Sequence, residues 1–440
     1  MLCASAPLCE PYQKNHRRTL VSGNLLIYNI GCLVTAVGSS AKKGAMQGEI
    51  TTRYNCHILA ENGKISEIGD ALTGLSLSEL ESKYNIYEKL DAGGGLVTPG
   101  LVDCHTHAVF GGWRQRELSL KLSGAAYLDI LAAGGGILST VEKTREASFD
   151  ELFEKTYAIL DESLSYGVTT LEAKSGYGLD TKTEIKCLEV LKKLAAEHPV
   201  DLVLSFMGAH AVPKEYKESR DSYVTLICEE MLPLTAEKSL AAFCDVFCET
   251  GVFSPRETRT ILTKAASLGL KLKMHAEEIN NTGGAQLAAE LGCISADHLI
   301  KIDDAGINAL AASDTIAVCL PCTSFYLNEN FAPAREMIKQ GVPVAIATDF
   351  NPGSTPNLNL QLAMSIACYK YKMKPAEILN AVTINAAAAI GKAAETGSIE
   401  KGKLADILVW DSKDLDYIFY RYGSNLVKTV IKRGKVVKSA

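Results

Sequence analysis

From residue 94 onward the chain repeats one pattern: apolar positions at helical spacing, a glycine, then a short unbroken apolar run. Between Asp150 and Tyr166, the side chains of Phe153, Tyr157, Leu160 and Leu164 fall on one helical face, and Gly167 leads into Val168-Thr-Thr-Leu-Glu172. Ile185, Leu188 and Leu191 mark the next helix, which reaches Leu202-Val-Leu-Ser-Phe206 through His198-Pro199. Gly269, Gly292 and Gly341 each stand between a helical pattern and a strand pattern. Glycine past the last helical turn takes the left-handed conformation at no steric cost, so the recurrence has a physical cause.

This pattern predicts eight strands, at about 97–104, 168–173, 202–208, 244–249, 270–275, 293–297, 315–320 and 342–348. Apolar strands alternating with helices form a parallel sheet covered on both faces. Eight within about 250 residues suit a closed (β/α)8 barrel of the TIM type. An open doubly wound sheet would carry a Gly-rich phosphate turn after its first strand, whereas Gly93-Gly94-Gly95 precedes one.

The ends of the chain differ. Residues 25–37, His57-Ile-Leu-Ala60 and Lys64–Gly69 are β-rich, and Glu61-Asn62-Gly63 offers a tight hairpin turn. Similar runs return only at Ala405–Trp410, Val427–Ile431 and Val436-Val437. Neither piece could bury a core alone, which predicts one small discontinuous β-sandwich domain built from both termini. The expected division is a disordered tail over 1–22, the β domain over 23–93 and 396–440, and the α/β barrel over 94–395. Residues 70–90 are polar and ambiguous, and Gly38–Thr52 suggests no role.

Composition narrows the class. A 47% hydrophobic, 22% charged chain of 440 residues is an ordinary globular protein. A net charge of -6 argues against nucleic acid as a partner, and no apolar run approaches the length of a membrane helix. The first residues lack the apolar stretch of a secretory signal, and the cysteines are odd in number (13) and scattered. Both features predict a reducing, cytoplasmic location. Cys319-Leu-Pro-Cys322 has no second pair and reads as two thiols at a strand end.

Chemistry in such a barrel sits at the carboxyl ends of its strands. Strand one runs into His105-Thr-His107, strand three into His210, strand five into His275 with Glu278 beyond, strand six into His298 and strand eight into Asp349. Five of only eight histidines therefore stand at predicted strand ends. His105, His107, His275 and Asp349 supply three imidazoles and a carboxylate, a set suited to one divalent metal, Zn2+ or iron (Fe2+/Fe3+). Cys104, between residues that face the site, should point away into core.

His-x-His after the first strand, the later His275, His298 and Asp349, and a split β domain together resemble the amidohydrolase superfamily over residues 23–440. Its binuclear members place a carboxylated lysine at the end of strand four. Asp245-Val-Phe-Cys-Glu249 has none, so one metal per chain is implied, and Lys174 is read as an ion-pairing loop residue. Phe110–Arg114, Lys174–Leu179, Gly208–His210, His275–Glu278 and Thr348–Ser354 are similar, in order, to the branch that opens 4-imidazolone-5-propanoate in histidine degradation.

That resemblance implies substrate contacts from Arg114, Tyr177, His210, Glu278, Asn351, Gly353 and Ser354, and a small-molecule substrate and a homodimer are expected with them. Hydrolysis of a ring amide needs an acidified water, a base, an oxyanion donor, a cation for the propanoate and an acid for the leaving nitrogen. Asp349 or His298 could be the base, the metal or His210 the oxyanion donor, Arg114 the cation and Glu278 the acid. A nucleobase-type deaminase would use the same metal set, and an inactive scaffold would be expected to have lost ligands.

Overall fold

The computed structural model describes residues 24–70, 79, 82, 86, 88–123 and 135–439. The expected tail over 1–22 lies outside them.

The small sheet contains β1 (Leu25–Thr35), β2 (Thr51–Glu61), β3 (Lys64–Asp70), β4 (Glu88–Asp91) and β5 (Leu96–Pro99) from the first half of the chain. Its order is completed by β14 (Ile407–Trp410), β15 (Val427–Lys432) and β16 (Lys435–Ser439), which enter as β16-β15-β14-β5-β1-β2-β3 with β4 also paired to β1. Asn62 and Gly63 both take positive φ (51° and 79°), the conformation of a two-residue hairpin turn. Leu25, Ile27, Ile58, Ile65, Val97, Ile407, Val409 and Ile431 pack into one buried cluster, so each terminus covers apolar surface of the other.

The second sheet is the barrel: β6 (Leu101–Asp103), β7 (Val168–Lys174), β8 (Asp201–Ala209), β9 (Phe243–Cys248), β10 (Lys271–Ala276), β11 (Ser295–His298), β12 (Ile316–Cys319) and β13 (Val344–Ile346). They lie side by side in chain order and pair in parallel. The helix expected over 150–166 spans Phe149–Ser165 and begins with a reciprocal cap between Ser148 and Glu151. Gly167, Gly269, Gly292 and Gly341 all take positive φ, as the helix–glycine–strand pattern requires.

The run at 97–104 is not one barrel strand. Leu96–Pro99 pairs with β1 and β14, and only Leu101–Asp103 pairs with β7. Pro99 offers no N–H to extend the first ladder, and a side chain at Gly100 would collide with Thr169, so the chain bends there between sheets.

The seam closing β6 against β13 bears directly on the site. It consists of a single Thr106–Phe350 bridge with Asp349 N donating to His105 O (3.1 Å) and His107 N to Phe350 O (2.8 Å). Just below, Asp103 accepts from Thr348 N (3.1 Å) and Thr348 Oγ1 (2.6 Å). The segments that close the barrel are thus those that carry His105, His107 and Asp349.

The Gly38–Thr52 stretch has a clear structural role. Its one-turn helix Gly44–Gly48 buries Gln47, whose amide donates to Val344 O (2.8 Å) and accepts from Val344 N (3.0 Å). Gln47 thereby pairs backbone groups of β13 that face away from the neighbouring strand.

Candidate active site

The barrel interior is divided. Val102, Cys104, Val203, Phe243, Val318, Ala345 and Ala347, from strands around its circumference, share one apolar cluster. Cys104 is therefore core, beneath the site. Glu172, Lys174, Asp245, Lys273 and Asp297, from β7, β9, β10 and β11, are fully buried and charged. Lys174 is not a loop residue: it ends β7, and its ammonium meets Glu172 (2.8 and 2.9 Å) and Asp245 (2.7 Å).

Above this layer the histidines converge. His105 Nδ1 donates to Asp297 Oδ2 (2.6 Å), and His275 Nδ1 donates to Asp245 Oδ1 (3.0 Å). Each imidazole then carries its proton on Nδ1 and turns a bare Nε2 toward the site. Asp349 Oδ2 accepts from Thr323 Oγ1 (2.6 Å), while its Oδ1 stands 3.4 Å from His105 Nε2 and 3.5 Å from His107 Nε2. His275 Nε2 lies 3.3 Å from His107 Nε2. Asp349 and His298 both hold positive φ (55° and 77°), a costly backbone state that aims their side chains at this centre.

Those separations fit a cation. Tetrahedral ligands about 2.1 Å from an ion stand about 3.4 Å apart. Lone pairs facing each other across such a gap in a buried site need a positive charge between them, and His105 Nε2 has no hydrogen-bond partner among the described residues. His105, His107 and His275 form one group of atoms close enough to share an ion, and His105, His298 and Asp349 form another. His298 therefore stands within reach of the same centre. Burial, reinforced by the neighbouring rings, holds His105, His107 and His298 well below the usual imidazole range, in the neutral form a metal requires.

Around the centre, Glu278 Oε2 lies 3.7 Å from His298 Nε2. Burial, with the negative charges of Asp349, Glu249 and Glu329, pushes its carboxyl up to about 8. Burial likewise raises Asp349 to about 6, against the opposing Thr323 hydrogen bond. His210 stacks on His107, with centroids 4.8 Å apart and planes 19° apart, and donates from Nδ1 to Gly176 O (3.0 Å). Burial lowers its pKa to about 3, so the ring is neutral. Tyr177 is buried beside both rings, 6.0 Å from His107 and 5.2 Å from His210, and burial raises its hydroxyl well above the usual range.

A family model for the amidohydrolase family matches residues 96–437. Imidazolonepropionases match over nearly their whole length. That of Bacillus velezensis is 51% identical, covering 94% of this chain and 97% of its own. That of Fusobacterium nucleatum is 50% identical, covering 95% and 99%. The chain belongs to the imidazolonepropionase family of amidohydrolases. Among solved structures, a triazine hydrolase variant superposes with a TM-score of 0.71 at 17% identity, covering 94% of this chain and 95% of its own. An adenosine deaminase from Xanthomonas campestris with bound zinc gives 0.66 at 18%, covering 94% and 92%. Likeness at that identity establishes the barrel fold alone.

The structure also brings together two of the stretches singled out in the sequence, Phe110–Arg114 and Thr348–Ser354. Arg114 lies against Asn351–Ser354, where a Cβ on Gly353 would collide with its Nη1. Asn351 is occupied by its own turn: Oδ1 accepts from Gly353 N and Ser354 N, and Nδ2 donates to Asp349 O and Ser354 Oγ, all at 2.7–2.8 Å. Asn351 and Ser354 therefore shape the floor under Arg114.

Other contributors were missed from the sequence: Asp245, Asp297, Thr323 and Glu117. The last accepts from Arg114 Nε and Nη2 (2.9 Å each) and from Gly136 N (2.7 Å). A charge inside an otherwise apolar strand is seldom without a partner, and that signal could have found Asp245, Asp297 and Lys273. Nothing local marks Thr323 or Glu117.

Proposed function

We propose that the chain hydrolyses the ring amide of 4-imidazolone-5-propanoate to N-formimidoyl-L-glutamate, using one divalent ion, zinc or iron, held by His105, His107, His275 and Asp349. The observation that carries this reading is a buried centre of bare imidazole nitrogens with a half-buried arginine fork, within a chain about half identical to imidazolonepropionases.

When bound, the ion supplies Lewis acidity and a water whose pKa is lowered from about 16 toward 7. Asp349 has Oδ2 tied to Thr323 and Oδ1 turned inward, so Oδ1 receives the proton of the attacking water. His298 stands beside it as the alternative base. Glu278, protonated near neutrality, delivers a proton to the leaving ring nitrogen. His210 cannot fill the oxyanion-donor role considered above. Its one proton is spent on Gly176 O, so neutral Nε2 accepts, and a ring N–H is its natural partner. The neutral Tyr177 hydroxyl can donate, and Arg114 holds the propanoate.

The test is turnover of 4-imidazolone-5-propanoate by metal-loaded protein, run beside a panel of purine and pyrimidine amines. N-formimidoyl-L-glutamate from the first and no ammonia from the panel is expected; the reverse overturns the reading. A homodimer in a cytoplasmic setting belongs to the same reading. Among the described residues no helix is long and apolar enough to cross a membrane, and sedimentation analysis tests the dimer.

A further inference from the structure

Strands β12 and β13 fill their part of the barrel interior with Ile316, Val318 and Ala345, and Ala347 follows just past β13, whereas β7, β9, β10 and β11 place five charges there. Burying ions is expensive, and replacing a buried pair by apolar groups is often neutral or stabilising. Core stability alone therefore gives no reason for these charges. What they touch does.

Lys174 Nζ holds Asp245 Oδ2 (2.7 Å), while Asp245 Oδ1 takes both the backbone N–H (3.2 Å) and Nδ1 (3.0 Å) of His275. Lys273 Nζ donates to Cys104 O (2.9 Å), the carbonyl immediately before His105. Glu172 joins the two ammoniums, accepting from Lys273 (2.8 Å) and Lys174 (2.8 Å) and from the Ser205 hydroxyl. Asp297 is fixed by Ser295 Oγ (2.6 Å) and His105 Nδ1 (2.6 Å), with the ammoniums of Lys273 and Lys174 at 3.7 and 3.9 Å. One unbroken chain of contacts thus runs from His275 to the backbone beside His105. Three carboxylates face two ammoniums in it, so in their ordinary ionised forms one negative charge remains in surplus beneath the centre.

We propose that Lys174 and Lys273 are positioning residues for the metal centre: through Glu172, Asp245 and Asp297 they lock His105 and His275 as Nδ1–H tautomers with Nε2 aimed at one point. This rests on the reading that the centre binds a divalent ion, and extends it to residues that touch neither ion nor substrate. Partners behind metal-bound histidines typically contribute 10–100-fold in affinity.

The experiment is the charge-balanced variant Glu172→Gln/Lys174→Met, which removes one charge of each sign and frees Asp245 Oδ2. Zinc affinity is measured by chelator competition, the Co2+-loaded protein by its visible absorption, and the apo protein by Tm. A fall of roughly 10–100-fold in affinity with an altered cobalt spectrum, in a variant whose apo Tm is close to wild type, is expected. Unchanged affinity and spectrum overturn the proposal, and unchanged affinity with a large drop in Tm assigns the network to the fold alone. Should the variant not fold, 15N histidine spectra of the wild-type apoprotein decide. Protons on Nδ1 of His105 and His275 support the proposal, and protons on Nε2 overturn it. Wild type that binds no zinc would instead defeat the metal reading itself.

Discussion

Replacing Arg114 by alanine tests where specificity for the propanoate comes from. The guanidinium is only 14% exposed, and it spends Nε and one Nη2 hydrogen on Glu117, which is 6% exposed. That side-on pair leaves the outer edge, Nη1 and the second Nη2 hydrogen, with the geometry for a two-point grip on a carboxylate. Charge-assisted bonds contribute about 1.5–3 kcal/mol each, so losing two costs about 3–6 kcal/mol, or roughly two to four decades in affinity. The side chain touches none of the centre's histidines, so metal content should not change.

The assay compares kcat/KM for the propanoate substrate with that for its carboxamide analogue. Wild type should prefer the carboxylate strongly. Arg114→Ala should lose that preference by losing activity on the carboxylate, with the loss mostly in KM. Glu117→Gln should show a smaller version of the same pattern, because the fork is then held by a neutral amide. The reasoning is refuted if Arg114→Ala keeps the wild-type preference at full metal occupancy.

Elemental analysis of active wild-type protein should give one divalent ion per chain, because β9 carries no lysine to bridge a second; two equivalents would contradict it. Glu278→Gln should lower turnover by about 10²–10⁴-fold. A raised carboxyl donates only below its pKa, so wild-type activity should fall as pH rises through about 8, or lower once a cation is bound, and the variant should lose that limb. His298→Ala should retain its metal but lose turnover; protein purified without metal would make His298 a ligand. Gln47→Ala leaves Val344 N buried without its acceptor, while Val344 O keeps the Asn385 amide (2.9 Å), and should destabilise the fold by about 1–3 kcal/mol, read as a lower Tm.

Periodicity alone determined the barrel. Helical spacing, capping glycines and apolar strands are local facts, and they place His105, His107, His210, His275, His298 and Asp349 at strand ends before any contact is known. The paired β-rich termini were legible for a similar reason: neither could bury itself. Local pattern misjudged residues 97–104, because one apolar run serves two sheets and only the bend at Gly100 separates them. It also left Gly38–Thr52 without a role, since Gln47 acts on a strand almost 300 residues away.

What only the tertiary structure decided is how each side chain is held. Asp297 grips His105 across 192 residues, and Lys273 reaches the carbonyl of Cys104 across 169. Lys174 looked like a loop residue because sequence shows a charge but not its burial. Tautomers, too, follow from partners: Asp245 fixes His275, and Gly176 O turns His210 from donor to acceptor. A sequence names the groups that can carry protons or bind metal. Which proton each one carries depends on the atom that closure of the barrel brings against it.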